Sequence, residues 1–208
     1  AGPVERYYQD SSIPSHFLQQ FRALGDRFKK PGKERLTLTG TLAESSGANS
    51  VQLQFEKGQK FRLDVPGQAS RSLTVNGKNT SRAPNPSEDR LIQGLLEDSA
   101  DSLMEALAEG KRYRFIGRRY RAASGQLCDL YDVIASGKGA QPKALTKRLC
   151  FDSNTQLLSY VEYASSSGRS SPLIRTTFSD WRRVDNQSVP GRIQQTEGGL
   201  SIFTFQAA

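Results

Sequence analysis

Three stretches in the first half of the chain alternate strictly between apolar and polar positions. Leu36, Leu38, Gly40 and Leu42 interleave with Thr37, Thr39 and Thr41. Val51, Leu53 and Phe55 interleave with Gln52, Gln54 and Glu56, and Phe61, Leu63 and Val65 with Lys60, Arg62 and Asp64. A period of two predicts strands with one wet face and one apolar face. The segments between them, residues 44–50 and 57–59, are of hairpin length, which predicts an antiparallel meander. Leu73 and Val75 begin a fourth strand, closed by the turn signal Asn76-Gly77. Beyond Gly110 the chain reads as strands again: residues 111–122 with a bulge at Gly117, a hairpin over 127–151, then 156–163, 173–184, 191–197 and 200–206. Gly198-Gly199 and the Ser-rich residues 165–171 read as a turn and a loop.

Two segments follow a helical period instead. In the first, over residues 12–30, Phe17, Phe21, Leu24 and Phe28 form one stripe. Ser12 suits the cap, Pro14 the first turn, and Lys29 and Lys30 the end before Pro31-Gly32. In the second, over residues 88–108, Leu91, Ile92, Leu95, Leu96, Leu103, Met104 and Leu107 share a broad face between Ser87 and Gly110. Residues 1–11 show no period and read as a flexible N-terminus. The remainder, 12–208, reads as a single domain. The predicted fold is mainly β with two helices (α+β). It is a large antiparallel sheet of about nine to eleven strands, a number that must curl or split. A curved sheet or unclosed β-barrel covered by the two helices satisfies both patterns.

Charge changes the picture a little. The chain carries 29 Lys and Arg against 21 Asp and Glu, a net charge of +8. Such a balance suits an anionic partner, either nucleic acid or a negatively charged membrane surface. The basic residues are spread along the sequence. Their densest run, from Lys111 to Arg121, includes Arg112, Arg114, Arg119 and Arg121 among Tyr113, Phe115 and Tyr120. Basic and aromatic residues together can bind phosphate and stack bases. An amphipathic strand with a wet basic face explains the same run more simply, so nucleic acid is not the favoured partner. No run approaches the roughly 18 apolar residues of a helical membrane span. No signal peptide stands at Ala1, and the sequence is expected to begin after one.

Candidate chemistry is sparse. His16 is the single histidine and falls on the polar side of the first helical pattern, a poor basis for a Ser-His-Asp or Cys-His site. One histidine and two cysteines make a poor zinc ligand set. SGKGAQPK at residues 136–143 has neither the strand-to-helix context nor the ending of a phosphate loop, and there is no GxSxG elbow. Asp129 and Asp132 could form a glycosidase pair, but they read as solvated strand positions. No enzymatic activity, metal or cofactor is expected. The two cysteines are more informative. A hairpin folded about Gly139 sets Cys128 directly opposite Cys150. Directly opposed strand residues lie roughly 4.5–5.5 Å apart at Cα, inside the about 4.4–6.8 Å that a disulfide requires. Such a bridge favours an oxidising compartment, although two free, buried thiols fit the same sequence.

The order of elements resembles the LolA-like superfamily of periplasmic lipoprotein carriers and their outer-membrane relatives. A Phe-rich helix leads into LTLTGTL, VQLQFEKGQKFRLDV and SLTVNG. A helical middle follows, then FDSNTQLLSYVEY and FSDWRRVDNQSVP. The run KFRLDV is similar to a first-half strand of that family. Phe151 to Thr155 is similar to its late strand with an aspartate and a turn, and Phe178 to Asp185 with Val189-Pro190 to its strand, turn and "vP" element. Asn186 stands where the family commonly has glycine, and Asn tolerates the same left-handed geometry. The resemblance spans roughly residues 14–206 and rests on short motifs. The disulfide is not a general mark of the family.

The resemblance implies an unclosed antiparallel sheet whose apolar concavity, covered by helices, holds acyl chains. It therefore implies non-catalytic carriage of lipid or lipoprotein ligands across the bacterial envelope, in the periplasm or another extracytoplasmic space. The ligand-binding residues would be the inward-facing Leu53, Phe55, Phe61 and Leu63 with Leu95, Met104 and Leu107 of the second helix. Trp181 would be a packing residue. Lipid or lipoprotein acyl chains are the expected partners, with envelope proteins and transient contact with an anionic membrane surface besides, and a monomer is expected. The same alternation also fits a filled core. An envelope scaffold that binds a protein or a cell-wall polymer is the alternative reading.

Overall fold

The computed structural model describes residues 8–10, 35–45, 47–56, 60–64, 73–76, 113–121, 127–135, 147–165, 171–184 and 187–208. Both expected helices lie outside these residues, as do His16, Leu95, Met104 and Leu107. The described chain forms twelve strands: β1 (Tyr8–Asp10), β2 (Arg35–Glu44), β3 (Gly47–Glu56), β4 (Lys60–Asp64), β5 (Leu73–Asn76), β6 (Tyr113–Arg121), β7 (Leu127–Ala135), β8 (Lys147–Asp152), β9 (Leu158–Ala164), β10 (Leu173–Val184), β11 (Gln187–Glu197) and β12 (Leu200–Ala207). They build one sheet in the order β1-β6-β7-β8-β9-β10-β11-β12-β2-β3-β4-β5, antiparallel throughout. β1 and β5 stand at opposite ends of that order and are not paired to each other, so the sheet is open.

Two meanders account for the topology. β2 to β5 run as expected from their alternation, and β6 to β12 form a longer antiparallel series. The C-terminal strand β12 then pairs with β2, from Phe203 opposite Glu44 to Ala207 opposite Gly40, and so fuses the two meanders. Gly198 and Gly199, with φ of 58° and 85°, make the tight turn between β11 and β12. Positive φ at both central residues is what a two-residue hairpin with the natural strand twist requires.

Several expectations change. Residues 8–10 fall in the stretch expected to be loose, yet they pair with β6 as an edge strand. Three residues are too few to show a period. The ladder between β6 and β7 runs without a register shift past Gly117 opposite Tyr131, so no bulge occurs there. The register shifts lie instead at Cys150/Phe151 and at Gln195/Thr196. β11 begins at Gln187 rather than 191 and carries Pro190 within it. The pairing of β11 with β12 starts only at Arg192, so Pro190 sits where β11 has a neighbour on one side alone, the position in which a missing N–H is tolerated.

The cysteine hairpin is confirmed in kind and corrected in register. Cys128 lies opposite Asp152, and Cys150 opposite Leu130, a slip of two residues from the direct pairing expected. A slip of two keeps each side chain on its own face, whereas a slip of one would have separated the thiols. Cys128 and Cys150 are therefore diagonal neighbours, joined as a disulfide with Cα atoms 5.7 Å apart. Eleven residues separate β7 from β8, so no tight turn sets their register. Packing sets it instead, with buried Tyr131 against buried Leu149 and buried Leu130 against Cys150. A bridge between residues 22 apart should stabilise the fold by about 3 kcal/mol through the unfolded chain. Intact mass should show two hydrogens fewer than the reduced chain. Cys128→Ala with Cys150→Ala should lower the midpoint of thermal unfolding by several degrees, and an unchanged midpoint would contradict that role.

Candidate ligand-binding face

Cross-strand register places buried residues of β2, β12, β11, β10, β9, β8 and β7 in continuous rows on one face of the sheet. One row runs Leu42, Phe205, Ile193, Phe178 across β2, β12, β11 and β10, and these four are 0%, 0%, 0% and 5% exposed. Beside it runs Phe203, Gln195, Thr176, Val161, Leu149, Tyr131 across β12 to β7, all buried. Phe151 meets Tyr131 edge to face, with ring centroids 5.8 Å apart. That geometry suits the ring quadrupoles and adds to the area term. On the β2 side, Val51 is 2% exposed and pairs with Gly40.

Four of the residues singled out from alternation lie on described strands. Leu53 pairs with Leu63, and Phe55 with Phe61, across β3 and β4. The backbone register continues to Leu38 and Leu36 in β2 and to Leu73 and Val75 in β5. Leu95, Met104 and Leu107 fall outside the described residues. Sequence reading missed the larger, C-terminal half of the face: Phe151, Phe178, Ile193, Phe203 and Phe205. The signal was present in the alternation of residues 173–184 and 200–206, but nothing in it tells that β12 returns to lie beside β2.

The opposite face is polar and internally paired. Arg148 donates from Nε to Asp132 Oδ1 at 2.7 Å and from Nη2 to Oδ2 at 3.2 Å, a two-pronged ion pair across β7 and β8. Its hydrogen bond with Asp132, opposed by partial burial and helped by nearby charges, raises the guanidinium pKa above its usual range. Because the guanidinium pKa is raised, the titration of Arg148 itself weakens this contribution only above the ordinary arginine value and does not change it near neutrality. Arg175 donates to Glu162 from Nε at 2.7 Å while its guanidinium stacks over the Tyr160 ring at 4.6 Å. Asp132 is thus held in an ion pair rather than paired with Asp129 for glycosidase chemistry. Cys128, Leu130 and Cys150 form a small buried cluster on this same face, packed against Tyr160.

In the basic strand, Arg114 is opposite Ile134, whereas Arg119 and Arg121 are opposite Asp129 and Leu127. Arg112 lies outside the described residues. Among the described residues no group of three or more His, Cys, Asp and Glu is placed to hold a metal ion.

No protein-family profile matches the sequence, and no curated protein matches it. Solved structures do match its fold. A LolA superfamily protein from Nitrosomonas europaea superposes with a TM-score of 0.57 over 92% of this chain and 90% of its own, at 10% identity. A DUF1329 family protein from Desulfovibrio piger gives 0.51 over 92% and 90%, also at 10% identity. A putative outer membrane lipoprotein-sorting protein domain from Vibrio parahaemolyticus gives 0.48 over 92% and 88%, at 13% identity. The chain has a LolA-like fold: a large, open, antiparallel sheet.

Proposed function

We propose that this protein binds acyl lipids, free or as the lipid moiety of a lipoprotein, on the apolar face of its open sheet and carries them through an extracytoplasmic compartment without catalysis. The observation that carries the reading is the buried, mainly apolar face that runs in register across β2, β12, β11, β10, β9, β8 and β7 within a LolA-like fold. Each methylene moved from water to such a surface contributes about 0.8 kcal/mol, so a long chain needs no specific chemistry to be held. The disulfide fits an oxidising compartment such as the periplasm. The contact residues on this reading are Leu53, Phe55, Phe61 and Leu63 from the strands, with Leu95, Met104 and Leu107.

The test is native mass spectrometry of protein purified without detergent, followed by titration with a fluorescent fatty acid. Co-purified lipid, or saturable one-to-one binding with a micromolar or tighter Kd, is expected. A charge at Phe61 or Met104 (Phe61→Asp, Met104→Asp) should weaken binding at least about tenfold, because it places an ion where the chain would lie. Absence of both bound lipid and fatty-acid binding would overturn the reading and leave a filled core with a partner on the outer surface.

A further inference from the structure

A glutamine is buried on the apolar face. Gln195 is 3% exposed and sits in the row between Phe203 and Thr176, with Ile193 and Phe178 in the row beside it. Its Nε2 donates to Thr176 Oγ1 at 3.2 Å across β10 and β11. Its Oε1 is buried and has no hydrogen-bond partner among the described residues. A buried carbonyl oxygen without a partner is destabilising, and an apolar side chain of the same volume would fill the site without that cost. A second feature marks the same spot. The ladder between β11 and β12 shifts register between Gln195 and Thr196, leaving Ile202 unpaired opposite them. Bulges of this kind re-aim side chains and are concentrated beside functional sites.

We propose that Gln195 is the polar anchor of the ligand face. Its Oε1 accepts a hydrogen bond from an N–H or O–H at the head of a bound acyl lipid, and Thr176 holds the amide in place by accepting from Nε2. The proposal rests on the lipid-binding reading above and adds a ligand class to it: acyl chains joined to a hydrogen-bond donor, an amide or a free hydroxyl, over acyl chains joined to an acceptor alone. The chain supplies affinity through apolar burial, and the amide sets depth and orientation. Small-molecule sites commonly divide the work in this way, with a few polar groups in an apolar lining.

The test is displacement of a fluorescent fatty acid from the full chain by three ligands of one chain length: hexadecanamide, 1-monopalmitoylglycerol and methyl palmitate. The amide and the hydroxyl ligand should compete about five- to tenfold better than the methyl ester, the effect of one hydrogen bond to a buried acceptor. The amide and glycerol arms separate the two donor sources. In Gln195→Met, checked for folding by thermal unfolding, the preference should disappear while methyl palmitate still binds. Equal competition by all three on the wild-type protein would overturn the anchor and leave lipid binding standing, and that arm needs no variant. Retention of the preference in Gln195→Met would also overturn it. Failure of every ligand to bind would overturn the lipid-binding reading and the anchor together.

Discussion

Gly40→Val is expected to abolish the fold. A Cβ built on Gly40 would lie 2.2 Å from the backbone oxygen of Gln206, 2.8 Å from Cε2 of Phe205 and 2.9 Å from the Cα of Ala207. Two of those atoms belong to the backbone of β12, which cannot turn aside as a flexible side chain can. Gly40 pairs with Ala207 on one side and Val51 on the other, so β2 cannot retreat from β12 without parting from β3. The contact that suffers is the one joining the two meanders. Overpacking costs of about 1–3 kcal/mol are typical where neighbours can shift. Here the neighbours are ladder atoms, and we expect more than about 4 kcal/mol, a large fraction of the stability of a domain of this size. Circular dichroism and thermal unfolding of Gly40→Val should show no cooperative transition, or one lowered by more than about 10 °C. Gly40→Ala should fail nearly as badly, because the offending atom is Cβ itself. A folded Gly40→Ala with wild-type stability would mean that β2 and β12 are not paired in this register.

Phe205→Ala should cost about 3–5 kcal/mol, the usual range for removing a fully buried phenyl ring from a core. Phe205 is 0% exposed and stands between Leu42 and Ile193 in the most buried row of the sheet. Each kcal/mol corresponds to a shift of roughly 2–4 °C in Tm for a chain of this length, so a fall of about 6–20 °C is expected. Chemical denaturation gives the same quantity from the shift in midpoint at constant slope. Phe205→Ala should not rescue Gly40→Ala, because the closest clash is with the oxygen of Gln206 rather than with the ring. Rescue in the double variant would identify the ring as the true obstacle. The same truncation should affect ligand binding only through stability if Phe205 is core. A loss of fatty-acid affinity in the folded variant would place the ligand in the central row.

Much of the architecture is legible in the residues themselves. The alternation in residues 36–42, 51–55 and 61–65 predicts β2, β3 and β4, and pairing of Leu53 with Leu63 and Phe55 with Phe61 follows from short hairpins. The limits of β10, residues 173–184, coincide with the predicted strand, and Gly198-Gly199 is the turn its composition announces. Cys128 and Cys150 come together as expected, although the register was set by packing rather than by the loop. The candidate site was legible in part. Strand residues with period two were found, but Gln195 was read only as a polar position in a C-terminal strand. Its burial depends on its strand neighbours, Phe203 in β12 and Thr176 in β10, the latter 19 residues away in sequence.

Periodicity is a local property, and it decided strand identity, the apolar face of each strand and the preservation of that face under an even slip. Order within the sheet is not local. The pairing of β12 with β2 joins residues 200–207 to residues 35–44, and no pattern within either stretch names the other as its partner. β1 is three residues long, too short for any period, and is defined only by the backbone groups of β6 that it satisfies. Register in the cysteine hairpin rests on which buried side chains fit opposite one another across a long loop. The sequence by itself therefore determined an antiparallel sheet with one apolar face and a hairpin that brings two cysteines together. Only the tertiary structure decided that two meanders fuse through a glycine contact at Gly40, and that one amide on the joined face is left with an oxygen to offer.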